Sequence, residues 1–155
     1  MRKVVVGLFS FVLLFSFMLG SASAETPLSA EVDALIGTPY KWAGTTEEGF
    51  DCSGFTQYLF AKFDIKLSRS SKSQAKEGTE VDKADLKVGD LVFFNTDGKG
   101  ISHVGVYMGD GEFAHSATDD GVMISRMDEK YYAKRYVTAR RILGDDDYKK
   151  LTAEQ

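Results

Sequence analysis

The spacing of apolar and polar positions changes period partway along this chain. Cys52, Phe55, Leu59 and Phe63 recur at helical intervals, with Gln57 and Lys62 off the stripe, which predicts an amphipathic helix that opens at Cys52. Upstream, Val32, Leu35 and Ile36 line one face of a shorter helix that Ser29 caps and Gly37 with Pro39 ends. Residues 37–50 have no period and predict a loop. Residues 68–78 are polar and Ser-rich, with a short helix around Gln74 and Ala75 that Gly78 terminates.

After Gly89 and Asp90 the texture becomes that of strands. Runs at 91–94, 103–108, 112–117, 122–126 and 137–142 are separated by turn signals at 96–100, 109–111 and 119–121. Residues 131–134 add one helical turn. Short turns between successive strands imply an antiparallel meander, and the helices collect in the first half. The expected class is therefore α+β, with N-terminal helices packed on a five- to six-stranded antiparallel sheet. From Gly144 onward the chain is polar, with three consecutive aspartates and no apolar period, so residues 144–155 are expected to form a flexible tail.

Residues 1–24 read as a signal peptide: Arg2 and Lys3, then an apolar run of 16 residues from Val4 to Leu19, then Ala22, Ser23 and Ala24 as a small-residue cleavage site. The run is short of the roughly 18 residues of a membrane span. No stable membrane anchor is expected after cleavage, and the mature protein is expected to be secreted, as an extracellular protein, or a periplasmic one where an outer membrane exists. Loss of Arg2 and Lys3 leaves 17 basic against 23 acidic residues, a net charge of −6, which disfavours nucleic acid as a partner. The remaining 131 residues suffice for one domain, spanning 25–143, and a monomer is expected.

The chain has one cysteine and two histidines. Oxidising compartments pair structural cysteines, so a lone exported thiol at a helix start reads as a reactive group. Unpaired N–H groups and the positive end of the helix dipole there favour the thiolate, which makes Cys52 a nucleophile. Its base must come from His103 or His115, on the two strands that flank Gly109, Asp110 and Gly111. A three-residue loop would pair Met108 with Glu112 and set Gly105 opposite His115, leaving the histidines diagonal on one face. A two-residue loop would send them to opposite faces. The expected triad is Cys52 as nucleophile, His103 as base and then acid, and His115 as the group that orients His103. The Cys52 N–H and Tyr40 are the expected donors to an oxyanion. Trp42 reads as a loop aromatic that covers the core.

Six ordered stretches carry a family likeness: Gly37 to Gly44 (GTPYKWAG), Phe50 to Phe55 (FDCSGF), Leu67 to Gln74 (LSRSSKSQ), Gly89 to Phe94 (GDLVFF), His103 to Gly109 (HVGVYMG) and Phe113 to Ser116 (FAHS). On them the chain resembles the NlpC family of cell-wall cysteine peptidases, which have a compact papain-like fold. The resemblance implies the same triad, places Tyr40 by the oxyanion, and makes Asp51 and Ser53 holders of the substrate peptide. It sets Arg69 and Gln74 beside the cleft, with Arg69 counted among the substrate-binding residues. It also implies hydrolysis of peptidoglycan stem peptides at the bond between D-γ-glutamyl and a diamino acid, with no metal or organic cofactor. Family members often carry repeat modules that bind the wall. With no room for one here, localisation is expected to come from the domain itself or a partner. Two rivals stand beside this reading: an amidase or acyltransferase of the same fold on other amides or lipids, and a non-catalytic wall-binding domain.

Overall fold

The computed structural model describes residues 25–153, so the expected signal peptide lies outside the described residues. Among those described, no helix is long and apolar enough to cross a membrane. Helix α1 (Pro27–Leu35) is capped one turn earlier than the periodicity implied. Thr26 is the cap, Pro27 supplies the pre-set φ of the first turn, and Ser29 returns the bond from the third helical position.

The segment expected to be loop contains a two-rung hairpin, β1 (Thr45–Thr46) with β2 (Gly49–Phe50), which delivers the chain to α2 (Cys52–Ala61). Phe55, Leu59 and Phe60 of α2 are fully buried. A short helix α3 (Ser71–Gln74) and strand β3 (Thr79–Val81) follow, then one 3-10 turn at Lys83–Asp85. Strands β4 (Leu91–Phe94), β5 (His103–Gly109), β6 (Glu112–Ala117), β7 (Gly121–Arg126) and β8 (Tyr136–Arg141) match the five expected runs, with α4 (Lys130–Ala133) between the last two. The six-stranded sheet is antiparallel, in the order β3-β8-β4-β5-β6-β7. The added edge strand β3 has only three residues, too few for alternation to show.

The two faces of the sheet have different neighbours. Leu91, Phe93, Val104, Val106, Ala114 and Val122 pack with α1 and α2, whereas Val92, Phe94, Phe113 and Ala139 form a second cluster with Tyr107 and Tyr132. At the outer rim of β7, the backbone of the loop after α1 adds two rungs: Gly37 N–H donates to Val122 O at 2.8 Å, and Val122 N–H donates to Thr38 O at 2.8 Å.

The tail expected to be flexible is instead helix α5 (Asp145–Thr152), which packs on α1. Leu151 is 1% exposed and Tyr148 lies three residues earlier against the same core. Asp145, Asp146 and Asp147 occupy the first turn and Lys149 and Lys150 the last, each with the sign that the helix dipole favours. Burying one leucine contributes on the order of 2 kcal/mol, enough to dock a helix whose other faces are solvated.

The tip of the β5–β6 hairpin also differs from expectation. Gly109, not Met108, lies opposite Glu112, so the loop is the two residues Asp110 and Gly111, with φ of 50° and 79°. Two residues alone would separate the histidines. The ladder shifts between Tyr107 and Gly109, where Met108 is the extra residue of a bulge, and parity is restored. Val106 then faces Ala114, which sets Gly105 opposite His115. A Cβ at Gly105 would stand 2.6 Å from Phe113 Cδ2, 2.7 Å from Ala114 O and 3.1 Å from His115 Cβ, so the missing side chain lets the Phe113 ring and the backbone beside His115 close onto this strand.

Candidate active site

Cys52 is the first residue of α2, and Asp51 caps the helix by accepting from Gly54 N–H at 2.7 Å. A Cβ on Gly54 would lie 2.0 Å from Gly44 O, so that glycine lets the helix start press against the loop before it. Two further bonds fix the junction: Asp51 N–H donates to Gly44 O at 3.1 Å, and Ser116 Oγ on β6 donates to Phe50 O at 2.9 Å.

The thiol points at the start of β5. Sγ lies 3.8 Å from Ser102 O, and the Val104 N–H also faces it, so the backbone on both sides of His103 meets the sulfur. No hydrogen bond joins the thiol to the imidazole among the described residues. Catalytic contacts of this kind often tighten only with substrate bound. His103 spends Nε2 on His115 Nδ1 at 2.9 Å, which leaves Nδ1 as the nitrogen available to Cys52. His115 is fully buried, stacked on Phe113 at 4.7 Å, and its Nε2 is 3.0 Å from Ser125 Oγ. The structure thus brings the two histidines together and places the thiol beside the strand that carries one of them.

The charge state differs from the expected thiolate. Burial pushes the Cys52 thiol above its ordinary value. The Asp51 carboxylate adds to that, and the N–H groups of Val104, Ser53 and Cys52 itself oppose it without prevailing. Burial also lowers His103 to about 4 and His115 to about 3, with repulsion from His103 a smaller cause for the latter. Thiol and imidazole are both neutral at rest. The helix start supplies the favourable N–H groups that the sequence implied, but desolvation outweighs them.

A neutral base is lost only when it takes up a proton, so kcat/KM is expected to fall as pH drops through about 4, not through the 6.5 of a free imidazole. With the thiol raised above 9.0, the rate of iodoacetamide alkylation of Cys52 is expected to keep climbing past pH 9. An acid limb near 6.5 would show a base that titrates like a free imidazole, and alkylation that levels off near neutrality would show a preformed thiolate–imidazolium pair.

Arg69 forms a two-pronged ion pair with Asp51, at 3.0 Å to Oδ1 and 2.5 Å to Oδ2, and donates to Ser53 Oγ at 3.1 Å. Gln74, fully buried, holds this arrangement from behind: it accepts from Thr56 Oγ1 at 2.8 Å and donates to Ser53 O at 3.1 Å and to Ser68 O at 2.8 Å. Tyr40, Trp42, Asp51, Cys52, Ser53 and Arg69 line one pocket, of about 390 Å³. Burial, then the nearby Cys52 and Asp51 charges, raise the Tyr40 hydroxyl, which keeps its proton and can donate.

Trp42 does not cover the core. It is 84% exposed, in the turn that Gly44 N–H closes on Lys41 O at 2.8 Å, with Ala43 at a φ of 59°. A second pocket of about 370 Å³ is lined by His103 together with Thr96, Asp119, Asp120, Tyr131 and Tyr132. The sequence reading passed over Ser102, Ser125 and Tyr132. Ser125 is a polar side chain inside a strand, a signal that register alone could have turned toward the histidines, whereas Ser102 precedes β5 and Tyr132 lies on α4, where no alternation marks them.

A lone thiol at the start of a helix, packed against an antiparallel sheet that holds a bonded histidine pair, defines a papain-like α+β domain. The sequence profile of the NlpC/P60 family matches residues 37–141, and the chain belongs to that family. It is 44% identical over 109 residues to the murein DD-endopeptidase MepS/murein LD-carboxypeptidase of Escherichia coli, covering 70% of this chain and 57% of that protein. To the gamma-DL-glutamyl hydrolase of Bacillus subtilis it is 41% identical over 123 residues, 77% of this chain and 30% of that one. The chain therefore spans less than two thirds of either relative. The crystal structure of an NlpC/P60 family protein from Bacillus cereus superposes with a TM-score of 0.72 at 40% identity, over 78% of this chain and 42% of that one.

Proposed function

We propose that this protein is a cysteine endopeptidase that works outside the cytoplasm and hydrolyses peptidoglycan stem peptides at the bond between D-γ-glutamyl and the diamino acid. The observation that carries the reading is the Cys52 thiol seated between Ser102 O and the Val104 N–H, on either side of a histidine whose far nitrogen is bonded to buried His115.

In the reaction, His103 Nδ1 takes the Sγ proton as sulfur attacks the scissile carbonyl. The oxyanion forms against the Cys52 N–H and the Tyr40 hydroxyl. The C–N bond then breaks, and the proton held on His103 passes to the departing amine, leaving a thioester. Water, deprotonated by the same nitrogen, attacks the thioester and releases the acid and the thiol. Asp51, Ser53 and Arg69 hold the peptide on the acyl side. Both Asp51 oxygens are already engaged, so the exposed Arg69 guanidinium is the group of this set that faces the substrate.

The name of the Escherichia coli relative favours a second reading, cleavage of a DD cross-link. Digestion of purified peptidoglycan followed by mass spectrometry separates the two. New free D-γ-glutamyl carboxylates are the expected result, while opened cross-links with intact stems would establish the DD bond. Unchanged muropeptides would overturn both and leave an enzyme of other amides or a binding domain.

A further inference from the structure

His115 has one strong polar partner besides His103. Its Nε2 lies 3.0 Å from Ser125 Oγ, whereas the Tyr132 hydroxyl stands at 3.5 Å, at the limit of a hydrogen bond. The remaining neighbours are aromatic: Phe113 stacked on the ring and the Tyr132 ring edge-on at 5.4 Å. Ser125 is 6% exposed and His115 fully buried. Solvent has little access to stand in for a lost hydroxyl.

We propose that Ser125 is a positioning residue that sets the direction of hydrogen bonding through the histidine pair by accepting the His115 Nε2–H. This rests on the reading of Cys52 and His103 as the reacting pair. At rest the contact between the two imidazoles can run either way, because each neutral ring carries one N–H. Once His103 has taken the thiol proton, both of its nitrogens carry hydrogen, and Nε2–H must donate to His115 Nδ1. His115, still neutral, must then hold its proton on Nε2. That N–H needs an acceptor, and Ser125 Oγ is the one within 3.0 Å. The serine hydrogen is free to turn toward the Tyr132 hydroxyl, which it faces. No proton leaves its ring along this chain. With the opposite polarity His103 would carry its resting proton on Nδ1 and have no lone pair for Cys52.

The wild-type protein labelled with 15N-histidine, read by two-bond 1H–15N correlation, tests the direction without substrate. The expected spectrum shows His115 protonated at Nε2 and bare at Nδ1. In Ser125→Ala the Nδ1–H form of His115 is expected to appear, and kcat on solubilised muropeptides to fall at least tenfold with KM within twofold. Ser125→Thr, which keeps the hydroxyl, is expected to recover the wild-type tautomer and most of kcat. A wild-type His115 protonated at Nδ1 would overturn the proposal, even if the alanine variant failed to fold. So would Ser125→Ala with an unchanged tautomer or with kcat within twofold of wild type. If the wild type released no muropeptide fragments, the endopeptidase reading would fall while the spectra still decided the role of Ser125.

Discussion

Cys52→Ala is expected to abolish peptidoglycan cleavage, by a factor on the order of 10⁴ or more, and to leave the thermal midpoint within a few degrees of wild type. The reaction begins with a bond from Sγ to carbon, so no neighbouring group can replace the sulfur. The fold loses little, because Cys52 is only partly buried and its one weak bond, 3.8 Å to Ser102 O, is not part of the helix cap. Asp51 still accepts from Gly54 N–H, and α2 keeps its buried face of Phe55, Leu59 and Phe60. Cys52→Ser is expected to be nearly as inactive, since a hydroxyl in the same desolvated place is far harder to ionise than a thiol. Muropeptide release followed by mass spectrometry, with a calorimetric melt beside it, checks both halves. Residual turnover within tenfold of wild type would remove Cys52 from the centre of the chemistry.

The largest expected effect on stability is that of Gly54→Ala. Elsewhere in a helix interior this change adds about 1 kcal/mol of stability. Here the new methyl would sit 2.0 Å from Gly44 O, a backbone atom that cannot swing aside. Gly44 is itself confined, because its own Cβ position is 2.3 Å from Gly49 O, and its carbonyl accepts the Asp51 N–H. The first turn of α2 must therefore lift away from the loop that carries Tyr40. The cost is expected to be about 3 kcal/mol, at the upper end for overpacking, and activity is expected to fall with it because Cys52 rides on that turn. Urea unfolding of the variant measures the first, and muropeptide release the second. A variant as stable as wild type would mean that the loop yields without cost.

The elements legible in the chain were those with enough residues to show a period. The stripe of Cys52, Phe55 and Leu59 marks α2, and the alternation of Val104 and Val106 with His103 and Gly105 marks β5 and its two faces. Strands of two or three residues, such as Thr45–Thr46 and Thr79–Val81, show no alternation and exist because neighbours bond to them. Helix α5 did carry local signals, acids before bases and Tyr148 three residues from Leu151, but the polar composition around them masked a docking decided by α1. The turn at Asp110 and Gly111 shows a subtler limit. Counting loop residues predicts parity only where no bulge intervenes, and Met108 supplied one.

In the site, the identities of the thiol and both histidines were readable because each residue type is so scarce. Their protonation was not. Helix-start chemistry is local and visible in Asp51 and Cys52, whereas the burial that keeps both rings neutral is assembled from Phe94, Phe113 and Tyr132 on the second face of the sheet, and the thiol is packed against the cluster on the first face. Trp42 failed in the opposite sense. A large aromatic in a loop beside a core reads as part of that core, yet a closed turn at Lys41 to Gly44 turns it outward.

The two rungs that Gly37 and Thr38 lay against Val122 bear on more than geometry. A bare outer strand is a template on which a second molecule can stack, the usual route from a soluble sheet protein to insoluble aggregates. Here the stretch leading to Tyr40 occupies that template, and Gly121 admits it because any side chain there would collide with Thr38 O, 2.2 Å away. Shortening this loop to open the cleft for bulkier substrates would strip the rim bare, so redesign of specificity in this protein is coupled to its colloidal behaviour.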